Sequence, residues 1–131
     1  MRAFMTEDIG KLVLRLTVGI LMLLHGVAKI LGGVSGIASM LQGIGLPGAL
    51  AYGVYLGEVV APLLVIVGFY ARIGALVMAC NMLVAIYLAH QADIFSLGQG
   101  GGWAIELQGS FLFTALAVAL IGPGRFSARE N

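Results

Sequence analysis

The sequence predicts an all-α integral membrane protein: a four-helix bundle with one short amphipathic helix lying in the membrane interface. The chain has 131 residues, 60% of them hydrophobic and 10% charged, with a mean hydropathy of +1.05. Soluble sequence is roughly a quarter Asp, Glu, Lys and Arg, so these charges are too few to cover a globule facing water. Four long apolar segments recur along the chain, each close to the roughly 20 residues needed to cross a hydrocarbon core of about 30 Å. The basic residues are scattered singly between apolar blocks and the net charge is +1. That argues against nucleic acid, which calls for clustered Lys and Arg.

The first segment runs from Leu12 to Leu31 and follows a polar start with Glu7, Asp8 and Lys11. Acids in front, Arg15 inside it and the lack of a small-x-small cleavage site make it a retained helix rather than a signal peptide. Next, over about 35–44, Ile37, Met40, Leu41 and Ile44 repeat at i, i+3, i+4 and i+7, the spacing of one helical face. Gly45 and Pro47 then stop the helix, and a short amphipathic helix of this kind lies in the interface. The second segment spans 49–70 and the third 73–90, leaving Ala71 and Arg72 to form a tight hairpin between them. A polar loop with Asp93, Gln99 and Gly98, Gly100, Gly101 and Gly102 leads to the fourth segment, 103–121. Trp103 opens that segment where indole rings prefer to sit, at the interface. Residues 1–131 thus form one domain. The lone Cys80 excludes an intrachain disulfide or a Cys-x-x-Cys redox pair.

With four crossings, Arg2, Lys11, Arg72, Arg125 and Arg129 share one side with Arg15 nearby, and Lys29 stands on the other. Basic loops stay in the cytoplasm, so both termini face inward. Gly53, Gly57 and Ala61, and Ala71, Ala75 and Ala79, give two small-residue faces that let helices approach closely. Packing within the bundle accounts for them; a homo-oligomer face is the alternative.

Ionisable side chains inside a bilayer cost roughly 3 kcal/mol or more each and often mark function. Glu58 sits near mid-span, four residues before Pro62, which cannot donate the helical hydrogen bond to the Glu58 carbonyl and so bends the helix there. His25 and Lys29 share a stripe of the first segment with Arg15, Met22 and Gly26, and the depths of His25 and Glu58 differ by about one turn or less. His90, Glu106 and Gln108 fall in the same outer half. Together they outline a polar cavity opening outward above a carboxylate, with His25 and Glu58 as candidate catalytic groups and Lys29, His90, Glu106 and Gln108 as candidate ligand-binding groups. Each has a plainer role available. Lys29 can snorkel to the interface, His90 and Glu106 can be wet helix ends, Arg15 can anchor on carbonyls or a lipid phosphate, Asn81 can pack between helices and Cys80 can be a small buried thiol.

No local ligand spacing supports a metal, and no Gly-rich nucleotide loop or catalytic triad is present. A quinone headgroup needs hydrogen-bond donors at its carbonyls and a route for protons, and histidine and carboxylate side chains provide both.

The run LVLRLTVGILMLLHGVAKIL resembles the opening helix of the DoxX family, with its early Arg15 and its Gly26 to Lys29 ending. The resemblance continues through the Gly-Leu-Pro before the second segment, the Glu58-centred helix, the Gly-x-x-x-Arg pattern ending at Arg72 and the closing Gly122-Pro123-Gly124 with Ser127. It covers about Gly10 to Ser127. It implies a small multi-pass protein of the bacterial inner membrane, related to the membrane subunit of a thiosulfate:quinone oxidoreductase. Two functions are therefore expected: a quinone-linked oxidoreductase subunit, or a non-catalytic membrane scaffold holding a soluble redox partner.

Overall fold

In a bilayer every backbone N–H and C=O has to be satisfied within its own segment, so apolar stretches become helices. The computed structural model, which describes residues 2–89, 91–98 and 100–129, has that form. Helix α1 spans Arg2–Gly32, α2 Ser35–Gly43, α3 Ala61–Val67, α4 Ala71–Ala89 and α5 Glu106–Ile121. A 3-10 turn at Gly48–Gly53 and a π turn at Leu56–Val60 precede α3 and make Gly48–Val67 one helical span. Met5–Gly32, Gly48–Val67 and Ala71–Ala89 are long and apolar enough to cross a membrane. With 16 residues, α5 is shorter, about 24 Å at a rise of roughly 1.5 Å per residue.

Three boundaries differ from the sequence reading. The polar start is not a separate segment: α1 is helical from Arg2, ten residues ahead of Leu12. The turn between the second and third spans lies at Gly68–Tyr70, and Ala71 and Arg72 already belong to α4. Gly68 takes the left-handed conformation (φ 79°) and its N–H donates to the Leu64 carbonyl, the usual glycine stop of a helix. Trp103 stands before α5 rather than inside it. Its indole N–H donates to the Ile94 carbonyl at 2.5 Å, and its ring lies where a side chain on Gly109 would go.

The core joins all four long elements. Val18 and Met22 of α1, Ala61 and Val65 of α3, Met78, Met82 and Ile86 of α4, and Phe111, Leu112, Ala115 and Val118 of α5 are buried together. Ala71, Ala75 and Ala79 are all buried, and a Cβ on Gly74 would press on the Ala61 carbonyl and on Leu64 and Val65. The small-residue stripe of α4 is therefore used inside the chain, where lipid offers no hydrophobic drive and close backbone approach supplies the attraction. Outside this core, α2 rests its Leu41 against Val34 and Ala51, with Ile37, Val54, Tyr55 and Leu88 packed around them. Ile44, expected on the same apolar face, is exposed.

Candidate functional site

Glu58 lies in the π turn and is 1% exposed. Pro62 has no N–H for the Glu58 carbonyl, and the Ala61 N–H donates instead to the Leu56 carbonyl, a wider i→i+5 closure. Such π turns inside helices recur at functional sites. The Glu58 carbonyl faces α1 at Gly26, where even one methyl group would collide with it. Gly26 thus sets how closely the two helices approach beside the carboxylate.

The carboxylate has two partners. Lys29 Nζ donates to Oε1 and Oε2, both at 2.6 Å, and Asn81 Nδ2 donates to Oε2 at 2.9 Å. Asn81 reaches it because Gly57 leaves the room that any Cβ would take from the Asn81 side chain. The Tyr55 hydroxyl donates to the Lys29 carbonyl at 3.1 Å and ties the end of α1 to the second span. A charge-assisted, bidentate arrangement of this kind is among the stronger polar contacts available away from water.

Beside this cluster is an apolar cavity of about 610 Å³, within the usual size range for small-molecule sites. His25, Lys29, Glu58, Asn81 and Gln108 supply its polar atoms, and Leu41, Leu50, Val84, Leu88 and Phe111 are among its apolar walls. It lies in the half of the bundle away from the termini, formed by the end of α1, the start of the second span, the end of α4 and the start of α5.

The expected site residues divide accordingly. His25 lines the cavity, but its Nδ1 is paired with the Leu21 carbonyl at 2.9 Å and its ring stands edge-on to Phe111, with 5.3 Å between centroids. It makes no hydrogen bond to Glu58; Lys29 takes that place. Gln108 lines the cavity. Glu106 does not: it is exposed at the start of α5, its carboxylate over Gly102. His90 lies outside the described residues. Cys80, read as a buried thiol, is exposed and borders the cavity. Asn81 is the member that the sequence reading assigned to packing. A polar side chain at mid-span and at the depth of Glu58 was the available signal.

At the other end Arg15, 2% exposed, is a structural counterpart. Its guanidinium donates to the carbonyls of Pro123 (2.6 Å), Phe126 (2.7 Å) and Ile66 (3.4 Å) and so pins the C-terminal segment against α1 and α3. Of the two readings for Arg15, carbonyl anchoring is the one observed.

The DoxX family's sequence profile matches residues 10–91. The chain belongs to the DoxX family. Arg15, Gly26, Lys29, Glu58 and Arg72 lie within that match, whereas Gly122-Pro123-Gly124 and Ser127, which also carry the resemblance, lie beyond it. The chain is similar to the "Putative oxidoreductase CatD" of Bacillus subtilis (strain 168), at 34% identity over 123 residues that cover 94% of this chain and 86% of that protein. No solved structure matches.

Proposed function

We propose that this chain is a multi-pass membrane subunit of a quinone-linked oxidoreductase, with four crossings and the quinone headgroup held at the Lys29–Glu58–Asn81 cluster. One observation carries the reading: a buried carboxylate, paired with a lysine and an amide, borders an apolar cavity large enough for a quinone ring and the first part of its tail. The relative named as an oxidoreductase and the family membership point to the same chemistry. The residues fit the group. Lys29 and Asn81 supply hydrogen-bond donors for ring carbonyls, Glu58 can hold or release a proton at a carboxylate oxygen, and the apolar walls exclude water. A quinone accepts two electrons and two protons to become a quinol, the electrons coming from a redox partner. His25 and Gln108 add further polar groups to the cavity wall. The reading puts the terminal end, which carries most of the basic residues, in the cytoplasm of a bacterial cell and the cavity in the outer half of the inner membrane.

The test is the quinone content of protein purified with its native lipids, compared with Glu58→Gln and Lys29→Met variants. Near-stoichiometric quinone in the wild type and its loss in both variants is the expected result. No enrichment over bulk lipid in any of the three would sink the reading and leave the scaffold for a soluble partner.

A further inference from the structure

A second pocket, of about 260 Å³, lies at the end of the bundle that carries the termini. It is lined by Asp8, Lys11, Arg72, Ile121, Gly122, Pro123, Gly124 and Arg125. We propose that it binds the phosphate group of an anionic phospholipid. Three cations face one carboxylate there, and that carboxylate is already engaged: Asp8 Oδ1 accepts the Arg125 N–H at 3.1 Å. The Lys11 ammonium and the Arg125 guanidinium have no hydrogen-bond or ion-pair partner among the described residues. Arg72 is held in place, its Nη1 donating to the Ala119 (3.1 Å) and Leu120 (2.8 Å) carbonyls at the end of α5. Two donors on Nη1 are spent in this way. The rest of the planar fork remains for an anion, the geometry in which arginine binds phosphate oxygens.

The pocket is built into the fold rather than left by loose surface side chains. Gly122 (φ 80°) leaves space that a Cβ would take from the Arg72 guanidinium, and Gly124 (φ 79°) lies closely against Asp8 and Lys11. The loop between them is fixed from below by the Arg15 bond to the Pro123 carbonyl. Its depth also suits a lipid headgroup. Lys11 immediately precedes the apolar stretch of α1, and Ile121 is the last residue of α5, so the cations stand at the edge of the hydrocarbon, where basic side chains attract anionic lipid.

The experiment is native mass spectrometry of the delipidated, detergent-solubilised protein titrated with phosphatidylglycerol, phosphatidylcholine or inorganic phosphate. One phosphatidylglycerol is expected to stay bound, more tightly than phosphatidylcholine. Lys11→Gln together with Arg125→Gln should weaken it about tenfold or more, from the loss of two near-surface cations. Neither of these side chains holds another part of the protein, so the double variant keeps its fold. Arg129→Gln removes a charge at the same end but outside the pocket, where Arg129 Nη1 donates to the Tyr70 hydroxyl, and should change lipid affinity less than twofold. Equal phosphatidylglycerol binding by the wild type and the double variant would overturn the site. Saturation by inorganic phosphate with no lipid adduct would overturn the lipid as its occupant.

Discussion

Arg15 and Glu58 are the two buried charged side chains of the described residues, at 2% and 1% exposure, and the protein treats them in opposite ways. Arg15 is held by main-chain carbonyls of Pro123, Phe126 and Ile66. Such acceptors neither titrate nor change rotamer, so the contact is a fixed fastening between α1, α3 and the C-terminal segment. Glu58 is held by side chains, Lys29 and Asn81, at the wall of a cavity. Those partners can turn toward a ligand, and Lys29, 31% exposed, can reach water along its aliphatic stem. A buried charge therefore has two uses in this small bundle. Surrounded by main chain it locks the fold, and surrounded by mobile polar side chains it leaves chemistry open.

Substitutions can break or sharpen that contrast. The largest effect is expected for Arg15→Gln. Hydrogen bonds to charged groups are worth about 1.5–3 kcal/mol each, so losing those of Arg15 should lower stability by several kcal/mol. A lower melting temperature in detergent, with faster hydrogen exchange over residues 122–129, would record it. If Arg15→Gln instead kept its melting temperature and lost bound quinone, the division into fastening and site would be wrong.

Gly26→Ala comes next, because its methyl group meets the Glu58 carbonyl. Overpacking of this kind costs about 1–3 kcal/mol, and because the backbone beside the carboxylate must shift, quinone retention should fall together with the melting temperature. Glu58→Gln sharpens the comparison most. The near-isosteric amide keeps the packing, and Lys29 can turn to water, so the weakened hydrogen bonds should cost about 1–3 kcal/mol while quinone binding falls at least tenfold. A large loss of stability with quinone retained would make Glu58 a second fastening. The smallest effect is expected for Tyr55→Phe, which removes the single hydrogen bond to the Lys29 carbonyl. About 0.5–1.5 kcal/mol should appear as a slightly lower melting temperature, with quinone content unchanged.

Much of the architecture was legible because hydropathy and helix stops are local properties. The amphipathic helix expected over 35–44 is observed at Ser35–Gly43, and beside Glu58, where Pro62 withholds a hydrogen bond, the helix widens into the π turn of Leu56–Val60. The misplaced boundaries have local causes of another sort. Polar residues at the start of α1 continue a helix as readily as they precede one, and Trp103 bonds to Ile94 instead of starting α5. The site was legible by depth but not by rotation. Hydropathy places Glu58 and His25 at similar levels, yet it does not say which face of α1 meets the carboxylate.

By itself, then, the sequence determined the solvent, the helices and the depth of each polar group, since these follow from how many apolar residues stand in a row. Only the tertiary structure decided the partners. Helix rotation and axial offset are set by close contacts between residues far apart in the chain, here Gly26 on the Glu58 carbonyl and Gly57 on Asn81. Those two contacts bring Lys29, one turn beyond His25, within 2.6 Å of the carboxylate and leave His25 against Phe111.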